Sequence, residues 1–311
     1  MPSKQQPITI MYKRISTFLF SVVPVLGISV YMYGARPIIM VIIATLAAIL
    51  SDVLVSIMRK RKYDGRDFSS IMYAVFLVLL LPASLRYGIV ITAIVFTLFV
   101  KHAFGGYSGS IFHPTAFGFV ASAICWPDEI FMYPWPFSHI AMGANRNPVL
   151  YMSATLTIKN GGIPNNIDRV DYLLGNHPGP LGASFGIIIL AILLFLIACK
   201  ATSWHAPLAY ILTVVIYSLL FSHLKTSIID NIIYELFSDG LIFGAVYIAS
   251  DPVTSPTNST AKIIYGFLVG LLAMIFGHYG VYQIGVMFAV LLINPLSSYL
   301  DRKFPSKGVL R

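Results

Sequence analysis

Charge is scarce in this sequence. Only 11% of the 311 residues are Asp, Glu, Lys or Arg, while 57% are hydrophobic and the mean hydropathy is +0.80. Soluble domains carry about 25% charge. A chain so poor in charge cannot cover itself with water-facing side chains, and its apolar runs reach helix-spanning length, so the composition points to an integral membrane protein. Acid is scarcer than base, 12 residues against 21, for a net charge of +9. The bases cluster between apolar runs, at Arg59, Lys60, Arg61 and Lys62 and again at Arg302, Lys303, Lys307 and Arg311. That placement orients membrane helices; it is not the patch that grips nucleic acid. The two cysteines, Cys125 and Cys199, stand alone near the ends of apolar runs, too few for a disulfide framework or a thiolate cage. Histidines 102, 113, 139, 177, 205, 223 and 278 include no pair at ligand spacing, which argues against haem or zinc.

What the chain has instead is apolar runs. Lipid cannot satisfy backbone polar groups, so each run must be a spanning helix or a segment buried among helices. Ten candidates lie near 15–33, 36–58, 68–83, 86–104, 109–126, 181–199, 205–221, 233–250, 261–277 and 280–299. The runs at 68–83, 109–126 and 233–250 are short or interrupted by Gly, Pro or acid, the signature of re-entrant or broken helices. Lys4, Lys13 and Arg14 ahead of the first run mimic a secretory signal. That run is long enough to span and a second follows after a short turn, so it reads as a retained helix. The N-terminal tail, the 59–67 loop and the C-terminal tail are all basic, and ten crossings put all three in the cytoplasm. The long loop 127–180 then lies outside.

The expected architecture is therefore all-α, about ten transmembrane or broken helices in two inverted repeats of five, residues 1–126 and 181–311, flanking the extracytoplasmic loop 127–180. The repeat rests on "FSSIMYAVFLVLLLPASLRYGIVI" (68–91) against "FSDGLIFGAVYIASDPVTSPTNSTAKIIYG" (237–266). Both read as a short helix, a Pro/Ser break and a return helix. Inverted repeats with broken helices place a binding site or pathway at their interface.

Three stretches could carry chemistry. "IASDPVTSPTNST" (248–260) sets Asp251 with the hydroxyls of Thr254, Ser255 and Thr257 at a break. It reads either as a polar pocket or ion path, or as a helix end in which Asp and Ser act as caps near the cytoplasmic surface, where a cap is solvated. Asn258-Ser259-Thr260 matches the glycosylation pattern but falls on the cytoplasmic side. "GGYSGSIFHPTAFGF" (105–119) combines turn-permitting glycines with His113-Pro114-Thr115, a polar segment or a packing kink. "YMSATLTIKNGG" (151–162) places Thr155 in the outer loop, within reach of a modifying enzyme; the Ser-Ala-Thr triplet alone says little.

Residues 251–302 resemble the C-terminal region of the RnfD/NqrB family, the flavin-bearing membrane subunits of Rnf and sodium-pumping NADH:quinone reductase complexes. "KHAFGGYSGSIFHPTAFGF" (101–119) is similar to that family's "FGG…G…FNPA" segment, with His113 where Asn is usual and Thr115 for Ala. "LLGNHPGPLG" (173–182) is similar to its "LLGNxPGxxGE", with Ala183 at the place of the acid. Length and loop placement favour the RnfD branch. The resemblance implies FMN joined by a phosphoester to a threonine, here Thr155, with Met152 where a hydroxyl is usual and Leu156 where proline is usual. It leaves open a second, non-covalent flavin. It also implies a flavin transferase acting outside the cytoplasm and a multi-pass protein of the bacterial cytoplasmic (inner) membrane. The implied partners are an FMN-bearing peripheral flavoprotein, small membrane subunits, and iron–sulfur and nucleotide-binding subunits. The threonine would tether the flavin while the protein orients it and tunes its surroundings. The chain would be a subunit of an ion-translocating oxidoreductase, inactive alone, in which Asp251 couples to the ion. Two other readings remain: a passive channel, since the same plan also resembles urea transporters, and a membrane anchor whose flavin site has decayed.

Overall fold

The computed structural model describes residues 8–60, 63–138, 140, 149–159, 167–221, 227–238, 240–281 and 284–305. Lys4, Arg61, Lys62, His139, Arg146, His223, Lys307 and Arg311 lie outside the described residues.

The chain is mostly helical. It opens with α1 (Ile8–Tyr33) and α2 (Arg36–Met58), joined by a turn through Gly34 at φ +75°. Then come α3 (Ser69–Leu80), α4 (Tyr87–Ala103) and α5 (Pro114–Cys125). The loop region holds α6 (Pro127–Ile130), strands β1 (Met132–Pro134) and β2 (Leu150–Met152), α7 (Ala154–Lys159) and α8 (Arg169–Leu174). The two strands pair antiparallel, Tyr133 opposite Tyr151. The second set is α9 (Gly186–Ala198), α10 (His205–Leu220), α11 (Ile228–Leu236), α12 (Leu241–Phe243, continued as a π turn through Ile248), α13 (Ser259–Tyr279) and α14 (Gly285–Lys303).

Among the described residues, α1, α2 and α13 are long and apolar enough to cross a membrane, and a fourth span forms if α11 and α12 are counted as one path bent by 61°. The expected spans at 68–83, 86–104, 109–126, 181–199 and 205–221 are realised as shorter apolar helices. The reason lies in what surrounds them. Every residue of α3 except Ile71 is buried, so this helix faces protein all round and need not match the thickness of lipid. By contrast α2 leaves Ile38, Ile42, Leu46, Leu50, Leu54 and Ile57 exposed along one side. The expected run at 233–250 proves to be two pieces: the helix begins earlier, at Ile228, and breaks before Gly240, whose φ of +81° turns the chain.

Packing follows one plan twice. α2 lies on α3 and α4, and α4 on α5; α10 lies on α11 and α13, and α13 on α14. Contacts of α1 with α9 and of α5 with α14 join the two sets. Small residues set the close approaches: a Cβ on Gly270 would lie 2.9 Å from the Tyr210 carbonyl oxygen of α10, and one on Gly285 would lie 2.5 Å from that of Ala273. Backbones this close gain dispersion and Cα–H contacts that lipid cannot supply.

Besides the bend between α11 and α12, the described residues show breaks between apolar helices at 81–86 and 249–258. The end of α3 leaves carbonyls without partners of their own, and the segment after α8 supplies them. Gly182 and Ala183 donate their N–H to Leu79 O (2.8 and 3.1 Å), and Leu181 donates to Leu81 O (3.0 Å). Arg36 Nη2 donates to Ser84 O and Leu85 O (3.2 and 2.9 Å). "PGPLG" thus acts as a backbone plug for the first break.

Candidate functional site

The second break is built differently. It carries its own acid. The helix stops at Ile248, and α13 restarts behind Asn258, whose side chain caps it by accepting from Thr260 N at 2.8 Å. Asp251 between them is not a solvated cap, as expected for the cytoplasmic surface, but is 3% exposed. Burial follows because side chains from three other elements close over it.

Its carboxylate accepts from Val253 N at 3.4 Å on Oδ1, and from Thr254 Oγ1 (3.2 Å) and Tyr73 Oη of α3 (3.3 Å) on Oδ2. His113 Nε2, just before α5, stands 3.9 Å from the same Oδ2. The imidazole is fully buried, sits edge-on to Tyr73 at 5.2 Å between ring centroids, and makes no hydrogen bond through either ring nitrogen among the described residues. Thr115 Oγ1 donates to Tyr73 O at 2.9 Å, locking α5 to α3. Asn294 of α14 is oriented by its neighbours: its oxygen accepts from His113 N at 2.8 Å and its amide nitrogen donates to Tyr265 Oη at 2.6 Å. Gly105 and Gly106, at φ +94° and +84°, let the chain double back so that His113 can enter the bundle. This arrangement holds a buried carboxylate, an unbonded imidazole and three hydroxyls in one polar centre at a helix break. Such a centre can accept and release a proton or a small cation without exposing the group to lipid.

Sequence reasoning marked Asp251, Thr254, His113 and Thr115 separately; the fold brings them together. Ser255 is buried in the same break, and Thr257 turns outward to bond Asp301. Tyr73, Tyr265 and Asn294 were missed, since a hydroxyl or amide in an apolar helix carries no signal until its partner is known. Two acids within apolar runs, Asp52 and Glu235, are a signal that could have been read, because intramembrane acids are costly.

Thr155 lies elsewhere. It is the second residue of α7, which follows the exposed strand β2, where Met152 is 61% exposed. Of the three Ser and Thr residues in 151–159, Ser153 is fully buried and its Oγ accepts from Leu156 N at 3.3 Å, a helix cap, while Thr157 Oγ1 donates to Ser153 O at 3.4 Å. α7 packs on α13, with Lys159 Nζ donating to Gly280 O. Asp251 precedes the other end of that helix. The Asp251 centre meets α13 at Tyr265, so along that helix the two sites are separated by about 22 Å, 15 residues at 1.5 Å each.

Between them in sequence, the "LLGNHPGPLG" segment closes α8 through Gly175 at φ +76°. His177 stacks on Tyr172 (4.6 Å, 14°), and Tyr234 of α11 meets Tyr172 edge-on. Burial pushes the His177 imidazole down to about 4, against the pull of Asp171. Among the described residues no three His, Cys, Asp or Glu side chains gather as a metal-holding group.

A bundle of apolar helices enclosing a buried acid at a helix break defines a multi-pass membrane protein with a polar centre. The chain belongs to the NQR2, RnfD, RnfE family, which it matches over residues 6–309. The RnfD protein of the ion-translocating oxidoreductase complex of Pseudomonas aeruginosa is 30% identical over 302 residues, covering 90% of this chain and 86% of that protein. Its counterpart from Actinobacillus succinogenes is 26% identical over 317 residues, 91% and 89% of the two chains. The corresponding component of the Na(+)-translocating ferredoxin:NAD(+) oxidoreductase complex of Acetobacterium woodii is 26% identical over 286 residues, 91% and 86%.

Proposed function

We propose that this chain is the membrane subunit of an Rnf-type ion-translocating oxidoreductase, passing electrons through an FMN on Thr155 and coupling them to cation movement at the Asp251 centre. The supporting observation is family membership along nearly the whole chain, joined to a hydroxyl-bearing segment beside an exposed strand. The segment suits a tether: Ser153 caps α7, Thr157 bonds the Ser153 carbonyl, Thr155 is the threonine that the family resemblance marks as acceptor, and the exposed strand before it leaves the segment open to a transferase. FMN, once attached, supplies the electron-carrying chemistry; the chain holds it at one end of the bundle and keeps the acid at the other. The rest of the complex supplies the partners, a peripheral flavoprotein, small membrane subunits, and iron–sulfur and nucleotide-binding subunits.

In this reading the bundle makes ten crossings, with both termini on the cytoplasmic face of the inner membrane, in inverted repeats 1–126 and 181–311. The doubled packing plan supports it, α2, α3, α4 and α5 answering to α10, α11–α12, α13 and α14. Helices as short as α3 and α9 rise about 18–20 Å, less than the about 30 Å of hydrocarbon. Their extended ends complete the crossing inside protein, where irregular backbone is tolerated. Electron transfer at one end reaches Asp251 through a shift between two conformations of the broken helices.

The test is ultraviolet fluorescence of the denatured protein in a gel, after co-production with a flavin transferase, followed by peptide mass. A flavin-bearing 151–159 peptide is expected, and Thr155→Val abolishes it. Absence of flavin from the native protein sinks the redox reading, and urea transport by the isolated chain replaces it with a channel. For the coupling step, Asp251→Asn is expected to keep flavin and lose ion transport; unchanged transport returns Asp251 to a capping role.

A further inference from the structure

Two more acids lie at opposite ends of the bundle, and the repeat relates them. At one end Asp52 of α2 accepts from Ser70 Oγ of α3 at 2.6 Å. The last turn of α4 closes this pair: Lys101 Nζ donates to Ser70 Oγ and lies 3.4 Å from Asp52 Oδ1 and 3.6 Å from Asp67 Oδ2, while His102 Nε2 is 3.1 Å from Asp52 Oδ1. Carboxylate and hydroxyl oxygens surround a cation that the chain supplies itself. Lys101 is 2% exposed.

The corresponding helices of the second repeat build the same cage with the acid and the hydroxyl exchanged. Ser218 of α10 donates to Glu235 Oε2 of α11, and the last turn of α13 brings His278 Nε2 to 3.5 Å from Glu235 Oε1. Asn231, one turn before Glu235 and on the same face, donates its amide to Ser218 O at 2.9 Å. Its Oδ1 and Glu235 Oε1 make no hydrogen bond among the described residues, although the side chains are 1% and 3% exposed. No lysine enters here among the described residues. Buried acceptors left without a donor are costly, and the counterpart cage shows what such a set of oxygens holds.

We propose that Glu235, Asn231 and Ser218, with His278 beside them, bind one monovalent cation, a sodium ion or a proton, at the end of the bundle opposite Lys101. The comparison rests on the two-repeat reading; the site needs no flavin. A carboxylate, an amide oxygen and a hydroxyl are the hard oxygen donors that alkali cations take. Where the Lys101 ammonium fills the first cage, the second has a histidine at its edge, 3.5 Å from one carboxylate oxygen, which leaves the oxygens to an incoming ion. Access is short, because α13 ends at the exposed Tyr279, one residue past His278. The other titratable groups on the elements packed around the pair are His205, Tyr210 and Tyr217 of α10, Asp230 and Tyr234 of α11, Lys262, Tyr265 and Tyr279 of α13, Lys159 of α7, and Arg169, Asp171 and Tyr172 of α8. Arg169 pairs with Asp230, and Lys159 holds Gly280 O.

The experiment is thermal unfolding of the purified full-length protein in detergent, titrated with sodium chloride against choline chloride at constant ionic strength and at two pH values. Sodium is expected to raise the unfolding temperature by roughly 2–4 °C. Glu235→Gln removes the response, Asn231→Leu weakens it, and His278→Gln keeps it. Asp52→Asn leaves it intact. A pH-dependent unfolding temperature that Glu235→Gln abolishes, with no sodium effect, identifies the cation as a proton and also supports the site. Sodium and pH responses identical in wild type, Glu235→Gln and Asn231→Leu overturn it. Because the readout involves neither flavin nor electron transfer, its failure leaves the redox reading standing, and the reverse.

Discussion

The breaks at 81–86 and 249–258 both interrupt apolar helices, yet they are filled in different ways. The first is sealed by backbone from elsewhere: residues 181–183 donate to Leu79 and Leu81, and the guanidinium of Arg36 takes Ser84 and Leu85. Nothing in that set can gain or lose a proton at ordinary pH, since Arg keeps its charge. The second is filled by Asp251, with His113, Tyr73 and Thr254 around it. One break is a structural joint and the other a polar centre. The lesson is that a broken helix is only an opportunity: it frees backbone groups, and what answers them decides whether the place is inert.

If that contrast is right, damage to the seal should unfold the protein, while damage to the centre should spare the fold. The largest effect is expected from Gly182→Leu. A Cβ there already lies 2.6 Å from Leu79 Cδ2 and 2.8 Å from Val25 Cγ1, so the seal must lift off α3, at a cost of about 3 kcal/mol or more. Thermal unfolding or loss of the monodisperse chromatographic peak measures it.

Acid should act on the same segment. Unfolded histidine titrates near about 6.5, whereas His177 stays neutral in the fold down to about 4. The unfolded chain binds more protons between those values, so stability falls as pH drops from about 6.5 toward about 4 and levels off below. The whole loss is on the order of 3 kcal/mol. His177→Phe, which keeps the stack on Tyr172, should flatten this stretch of the stability–pH curve; an unchanged slope assigns the acid sensitivity to another group.

Arg36→Met leaves the buried Leu85 carbonyl and the half-buried Ser84 carbonyl without this donor and should cost about 2 kcal/mol, readable as a shift in unfolding midpoint. The smallest effect belongs to the other break. Asp251→Asn preserves the size of the side chain and should stay within about 1 kcal/mol of native stability while altering ion transport. A large loss of stability there would make the second break a joint like the first.

Much of this fold is legible in residue order. The run at 36–58 matches α2 end to end, and 261–277 lies inside α13, because lipid-facing helices must be apolar over a set length. The break around Asp251-Pro252 was legible from its prolines and hydroxyls. The interruption of the 233–250 run was legible too; the start of its helix at Ile228 was not, since Ile228–Leu236 carries Asp230 and Glu235 in a short amphipathic helix whose acids are matched by Ser227 and by partners on α8, α10 and α13. The burial of Asp251 was hidden for the same reason: Tyr73 and His113 come from more than 130 residues earlier.

Composition and hydropathy along the chain determined that this is a helical membrane protein, where its long helices run and where they break. Those are local properties, set by what lipid and backbone demand of each segment. Which break is sealed and which is polar, and which acids are held with a cation beside them, was decided only by tertiary structure, because desolvation and hydrogen bonding depend on groups that folding brings from distant parts of the chain.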